Sequence, residues 1–471
     1  MLEIPLYVCT WTRQPGPATR LHQQIKRGLR EAMAAPITGG QGVAGGNAGG
    51  SQARTVLLLA FAVFFILGGV TNINDLLVGK FRPMFQLSHA EANLVQMAFF
   101  IAYALCSIPA GIVMSKLGYI RTFVLGFLMV ASAALLFIPA SNAASFGGFL
   151  AALFFIGVGI TVLQVAMNPV ITTLGPVETS HSRLTFAQAF NSIGVTLMVY
   201  GGASVLLGDA KPIDAASATA EQLQAYRVEQ GASIGHAYMW LAVVMLGIAA
   251  LFWLFRSALD GAKAQETKVA GTWDLFTGNR RVQLGALCIF TYVGAEVAIG
   301  SNLIAYLGDG GVMGLGLEQA GKLVAFYWGG AMIGRLVGGF VLRLFRPGRV
   351  LTAYAAAAIG LIALSAASTG AMAGWALILV GFCNSLMFPT IFSLGTEGLG
   401  ERTPQGSGIL CTAIVGGALV PYLFGTVADV TGNIRMALLV PAVCYAIIAA
   451  FGLWAVRNPS KDAGSEGPVF E

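Results

Sequence analysis

Asp75 and Glu296 each sit in an otherwise apolar stretch, Asp75 closing Thr71-Asn72-Ile73-Asn74-Asp75 and Glu296 closing Tyr292-Val293-Gly294-Ala295-Glu296. A charged side chain at mid-bilayer costs about 2.5–3.5 kcal/mol on insertion scales, so it is kept where something compensates. A carboxylate in a medium of low dielectric can take up and give back a proton. Both acids are therefore candidate proton-coupling residues. The plainer reading is a structural ion pair, with Lys80 and Arg82 near enough in sequence to partner Asp75, or a helix-end position at the lipid headgroups.

Uncharged polar residues gather in the same kind of sequence. Gln164 with Asn168, and Gln188 with Asn191, are each spaced one helical turn apart, which places each pair on one face. Asn72, Asn74, Gln96, Asn302 and Asn384 add further amides. An amide both donates and accepts, which suits the hydroxyls of a sugar. The alternative is hydrogen bonding between helices, worth about 0.6 kcal/mol per contact. Phe99, Tyr103, Tyr327 and Trp328 could stack on the apolar face of a pyranose. Arg335 reads as a structural or gating residue that snorkels or pairs with an acid such as Glu397. Trp240, Trp375 and Trp454 read as anchors at the membrane interface.

The elements that must position these residues follow from composition. Of 471 residues, 56% are hydrophobic and 10% charged, against roughly a quarter charged in soluble proteins. Lipid must be the solvent for much of the chain, and an all-α membrane protein is expected. Twelve apolar stretches are long enough to span, at about 55–79, 91–114, 120–139, 146–173, 184–207, 234–256, 281–307, 318–344, 349–368, 373–395, 405–430 and 434–457. They are called spans 1 to 12 below. The organisation read from them is a basic, Gly-rich disordered tail (1–54), a six-helix bundle (55–256), a polar linker (257–280), a second six-helix bundle (281–457) and a short tail (458–471).

Basic residues mark one side of the bundle. Lys116 and Arg121 follow span 2, Lys263, Lys268, Arg280 and Arg281 lie in the linker, and Arg343, Arg346 and Arg349 follow span 8. Positive loops face the cytoplasm, so both termini are expected there. The same bias accounts for the net charge of +6 without a nucleic-acid partner. Five of the six cysteines lie in apolar stretches and show no metal-ligand spacing, so neither a metal site nor a disulfide framework is expected. The four histidines are scattered through tails and loops, which makes an enzyme's acid–base centre hard to build. No cofactor is expected, and a monomer is.

The halves repeat. Pro169-Val-Ile-Thr-Thr-Leu-Gly175 returns as Pro389-Thr-Ile-Phe-Ser-Leu-Gly395, 220 residues later. Gly111 precedes Arg121 by ten residues, as Gly339 precedes Arg349. Glu296 follows Asp75 by 221 residues, so the acids fall at similar depths in their halves. Two similar six-helix halves are the architecture of an alternating-access transporter, with substrate bound between them near the midplane.

At these residues the chain resembles the fucose–proton symporter family of the major facilitator superfamily, over about residues 55–458. The resemblance rests on Asn72, Asn74 and Asp75 in span 1 and on Asn168 and Pro169 with Leu174-Gly175-Pro176 at the end of span 4. It continues through Ala187-Gln188-Ala189-Phe190-Asn191-Ser192 in span 5, Ile333-Gly334-Arg335 in span 8 and Phe388-Pro389-Thr390-Ile391-Phe392-Ser393-Leu394-Gly395 in span 10. It implies the major facilitator fold, proton-coupled uptake of a monosaccharide, and a bacterial inner-membrane location. Fucose transporters of this family carry important acids in spans 1 and 4. Asp75 keeps the first, but Gln164 stands at the second, and Glu296 stands where those transporters tend to have Gln. One carboxylate has thus moved from span 4 to span 7. Gln164-Val165-Ala166 and Gly294-Ala295-Glu296 look more like the glucose/galactose subgroup. Glucose or galactose is the expected substrate, with N-acetylglucosamine, mannose, fucose, and sodium in place of protons, as alternatives. The usual superfamily motif after span 2 is weakened, with Ser115 in place of an Asp and Lys116 and Arg121 retained as gating or structural residues. An exporter is disfavoured because span 5 lacks a Gly-Pro element. A membrane sugar sensor is disfavoured because sensors usually add a large soluble domain.

Overall fold

The computed structural model describes residues 50–173, 180–208, 218–254, 256 and 272–459. The expected N-terminal tail up to residue 49, most of the linker and nearly all of the C-terminal tail lie outside them, as do Leu174–Pro176. The described residues are helical, with no strand among them. In lipid every backbone N–H and C=O needs a partner inside its own segment, and the α-helix supplies it.

In the first half, span 1 is α1 (Gly50–Asn72) continued by α2 (Asn74–Phe85), and a short α3 (His89–Ala92) precedes span 2, α4 (Leu94–Leu117). Span 3 is α5 (Tyr119–Leu135) continued by α6 (Phe137–Asn142). Spans 4, 5 and 6 are α7 (Phe146–Thr173), α8 (Ser180–Leu207) and α9 (Ala220–Leu254). The linker ends in α10 (Thr272–Gly278). Spans 7, 8 and 9 are α11 (Arg280–Gly308), α12 (Leu317–Leu344) and α13 (Pro347–Ala367). Span 10 is α14 (Gly370–Asn384) continued by α15 (Met387–Thr396), span 11 is α16 (Thr403–Thr412) leading through a short 3₁₀ turn to α17 (Gly416–Thr431), and span 12 is α18 (Ile434–Ala437) leading into α19 (Leu439–Arg457). Eleven of these spans pass by length and hydropathy as membrane-crossing. The remaining one, span 8, has 28 residues and is about 42 Å long at 1.5 Å per residue, enough to cross as well. Span 6 starts at Ala220, well before the expected 234, because the polar stretch ahead of its apolar run continues the same helix.

Helix packing repeats with a shift of six spans. Spans 1 and 5, 2 and 4, 3 and 4, and 3 and 6 pack together, and so do 7 and 11, 8 and 10, 9 and 10, and 9 and 12. The closest approaches repeat too. A Cβ on Gly194 of span 5 would fall 1.8 Å from the Phe65 carbonyl oxygen of span 1, and one on Gly416 of span 11 would fall 1.9 Å from that of Phe290 in span 7. Only a residue without a side chain admits such contact between helices. The halves meet where span 5 packs on span 8, span 11 on span 2, and span 7 on α2. Exchanging the halves maps these contacts onto one another, as a pseudo-two-fold axis requires.

The kink in span 1 places Asp75. The Asn72 side chain donates to the Gly68 carbonyl at 3.0 Å, a local bond that competes with the backbone ladder. At the kink, Leu76 N–H reaches the Ile73 carbonyl, a tighter turn than the helix on either side. Asp75 then lies in the first turn of α2.

Candidate functional site at the seam between the halves

The Asp75 carboxylate is buried and takes hydrogen bonds from both halves. Its Oδ1 accepts from Gln96 Nε2 at 2.9 Å and from Ser301 Oγ at 2.8 Å. Its Oδ2 accepts from the Trp328 indole at 3.0 Å. Gln96 belongs to span 2, Ser301 to span 7 and Trp328 to span 8, and Gln96 also donates to Ser301 at 2.7 Å. Gly300 leaves room for the carboxylate, since a Cβ there would lie 3.2 Å from Asp75 Oδ2.

Glu296 lies on span 7 one helical turn before Gly300, inside the second half. Its Oε1 accepts from the Tyr292 hydroxyl at 2.7 Å, and its backbone carbonyl accepts from the Tyr327 hydroxyl at 3.0 Å. Asn384 ties the rest together. Its Nδ2 donates to the Tyr327 oxygen at 2.7 Å, its Oδ1 accepts from Tyr445 at 2.7 Å, and its carbonyl lies 3.1 Å from the Tyr292 hydroxyl. Spans 7, 8, 10 and 12 thus converge on one acid.

Further contacts between the halves run from one rim toward the middle. Asp429 of span 11 accepts the backbone N–H groups of His89 and Ala90, both at 2.8 Å, and Ser204 of span 5 donates to Glu318 of span 8 at 3.1 Å. Deeper, Asn93 and Asn302 exchange amide hydrogen bonds at 3.0 and 3.1 Å. The Asp75 seam comes next, and near mid-span Arg335 donates to Ser192. The rim that these contacts shut is the one opposite the basic loops.

Comparison with known proteins bears on what this arrangement belongs to. Residues 55–414 match the model of the Major Facilitator Superfamily. The chain belongs to the major facilitator superfamily. The glucose/galactose transporter of Brucella abortus is 41% identical over 394 residues, 83% of this chain and 92% of that one. The L-fucose–proton symporter of Escherichia coli is 35% identical over 416 residues, 85% of this chain and 93% of that one. The crystal structure of the major facilitator transporter FucP in the outward conformation superposes with a TM-score of 0.66 at 33% identity, over 87% of this chain and all of that one. The fucose–proton symporter resemblance read from the sequence is thus shown, along with its likeness to glucose/galactose transporters.

Within this superfamily fold the site residues read from sequence fall into several settings. Gln96, Asn302 and Trp328 form the seam between the halves with Asp75, and Tyr327 and Asn384 form the cluster around Glu296. Gln164 and Gln188 are half-buried, with no side-chain partner among the described residues. The Asn191 amide is engaged with the Phe64 carbonyl at 3.1 Å and holds span 5 to span 1. The Asn74 amide nitrogen is buried without a partner among the described residues. Span 4 is helical at Asn168, whose side chain lies outside the described residues. Phe99 and Tyr103 are buried and pack on one another in span 2. Lys116 and Arg121 are exposed at the turn after span 2, where Gly118 takes a φ of +78°.

Two pairings that the sequence left open are not made. Lys80 does not partner Asp75. Its ammonium meets the Leu206 carbonyl at the end of span 5 and Ser233 Oγ at 3.0 Å, because five residues along a helix turn it to another face. Arg335 does not partner Glu397, which pairs with Arg281 at 2.5 Å. Trp454, expected as an interfacial anchor, lies under the Arg281 guanidinium, 5.5 Å from the ring centroid.

Four residues of the site escaped the reading by sequence: Asn93, Ser301, Tyr445 and Asp429. Tyr292, one turn before Glu296, carried a signal in its spacing. Among the described residues no cluster of His, Cys, Asp and Glu suits a metal ion.

Proposed function

We propose that this protein imports a monosaccharide together with protons by alternating access, and that glucose or galactose is the sugar. The named functions of its relatives, glucose/galactose transport and L-fucose–proton symport, support the class. The observation that carries the mechanism is the convergence of three donors from spans 2, 7 and 8 on the Asp75 carboxylate.

An anion is the matched partner for three donors. A proton on Asp75 adds a fourth donor to the seam and weakens its closure. A bound sugar hydroxyl can accept that proton and restore the match. The empty anionic carrier and the fully loaded carrier both close, while the carrier with a proton alone does not, so protons do not leak without sugar. Glu296 is the second proton site. Gln164, Asn168, Gln188 and Asn74 contribute amides from the first half, and Tyr327, Trp328 and Asn384 line the opposite wall. Asn191, Asn302 and Gln96 act at the same surface by holding helices and closing the seam. Lys116, Arg121 and Arg335 serve gating or structure. The protein sits in the bacterial inner membrane as a monomer, with the basic loops and both termini in the cytoplasm. The rim closed by Asp429 then faces outward.

The test is uptake into liposomes of labelled glucose, galactose, fucose and N-acetylglucosamine, with and without an inward proton gradient at fixed sodium. Stimulation of glucose or galactose uptake by the gradient, lost in Asp75→Asn, is the expected result. Uptake that follows sodium and ignores pH overturns the proton assignment, and uptake of none of the four overturns sugar import.

A further inference from the structure

The Tyr292 hydroxyl has one proton and two acceptors. Glu296 Oε1 lies 2.7 Å from it and the Asn384 carbonyl 3.1 Å. Asn384 is the last residue of α14, where span 10 breaks before resuming at Met387. Carbonyls at such a helix end lack a partner within the helix. A second feature lies at the same break. The hydroxyls of Ser385 and Thr390, both buried, have no partner among the described residues. Unpaired buried donors are unusual in a settled core.

The rest of the cluster has its directions fixed. Tyr445 donates to Asn384 Oδ1, Asn384 Nδ2 donates to Tyr327, and Tyr327 donates to the Glu296 carbonyl. A carboxamide has one acceptor end and one donor end, so neither of its bonds can be reversed without flipping the group. Tyr292 can redirect its proton by rotating one C–O bond.

We propose that Tyr292 is the positioning residue through which the proton on Glu296 is read by the break in span 10. With Glu296 ionised, the Tyr292 proton goes to the carboxylate, because a charge-assisted hydrogen bond is about twice as strong as a neutral one. With Glu296 protonated, the acid donates to the Tyr292 oxygen, and the Tyr292 proton turns to the Asn384 carbonyl. Proton uptake at span 7 therefore makes a hydrogen bond at span 10. The break carries Asn384, which through Tyr327 sits beside Trp328 and so beside Asp75. The titratable and charged groups that face Glu296 are Tyr292 on its own helix and Arg335 from span 8, with the Tyr327 hydroxyl from span 8 on its backbone carbonyl, while Tyr445 from span 12 and Asp75 from α2 lie within reach of its charge. The inference rests on Glu296 as a proton site, and the test separates the two.

The experiment is initial-rate uptake of D-galactose and D-glucose by the full chain in liposomes, over external pH from about 5.5 to about 8, for wild type, Tyr292→Phe and Glu296→Gln. Across such a range a coupled carboxylate changes occupancy by a factor of ten or more, roughly tenfold per pH unit away from its midpoint. Wild type is expected to show that dependence and Tyr292→Phe to flatten it to about twofold or less. Site-specific fluorotyrosine at 292 keeps the hydroxyl and its geometry, and is expected to keep the pH dependence with a displaced midpoint. It also supplies the readout if the phenylalanine variant does not fold. A purely structural role would lower the rate at every pH alike and leave the midpoint in place, and either that result or a wild-type profile in Tyr292→Phe overturns the relay. If Glu296→Gln keeps the wild-type profile, Glu296 is not the proton site and the relay falls with it. If Glu296→Gln loses the profile while Tyr292→Phe keeps it, the relay alone fails.

Discussion

Trp328→Phe isolates one hydrogen bond of the seam while leaving both acids in place. Asp75 Oδ1 has two donors, but among the described residues Oδ2 accepts from the Trp328 indole alone. Phenylalanine keeps an aromatic ring between spans and removes the N–H. In the closed seam the variant leaves a buried carboxylate oxygen without a donor, whereas opening admits water to it. A hydrogen bond to a charged group contributes about 1.5–3 kcal/mol. The closed state should therefore lose that much relative to the open one, a shift of roughly 10- to 150-fold in the equilibrium. Spin labels at Asn142→Cys in the first half and Ala367→Cys in the second report this directly. Both positions are exposed on the rim opposite the basic loops. In a background without other reactive cysteines, the distance distribution between labels should gain a long component in Trp328→Phe. A distribution unchanged from wild type, in protein that remains folded, would show that the indole does not hold the seam.

The rim opposite the basic loops offers two more tests. Asp429→Ala removes the acceptor for the His89 and Ala90 N–H groups, so it should lengthen the same label distance and weaken closure severalfold, with no change if those amides are satisfied by solvent at no cost. His89, outside the membrane spans, has its pKa lowered from 6.5 to about 4, by burial first and the Arg82 charge second, against the pull of Asp429. The buried form is neutral, so its contribution to stability is whole above pH 6.5 and is lost as pH falls from 6.5 toward 4, where the unfolded chain binds the proton more readily. The melting temperature should drop between neutral pH and about pH 5, and drop less in His89→Gln. An equal drop in both would count against it.

What the sequence disclosed followed from energetic cost. An acid in an apolar run is expensive wherever the run is placed, so Asp75 and Glu296 stood out without any knowledge of contacts. Periodicity and hydropathy located the spans for the same reason, while the start of span 6 was missed because the polar sequence before it obeys no such penalty. Partners across the bundle left no local mark. Ser301 and Trp328 reach Asp75 from 226 and 253 residues away, and the packing of spans 7 and 8 on α2 brings them there. Lys80 was close in sequence but on another side of its helix, where it caps span 5. Amide clustering was legible as polarity but not as purpose, since Asn191 serves a helix contact and Asn302 a contact between halves. No residue type distinguishes these uses from sugar binding.

The placement of the second acid has a consequence for coupling. In the fucose-transporter pattern that acid occupies the position of Gln164, in span 4 of the first half. Here it lies in span 7, one turn from the glycine against which Asp75 rests. An acid in span 4 would share its half with Asp75, and its protonation would be felt at the seam only through Asp75 or the sugar. An acid at 296 lies in the opposite half, on the helix that also supplies Ser301 to Asp75. Like charges in a low dielectric disfavour each other, so the two carboxylates are expected to titrate as a linked pair rather than independently. Removing either charge should then displace the pH midpoint of the other.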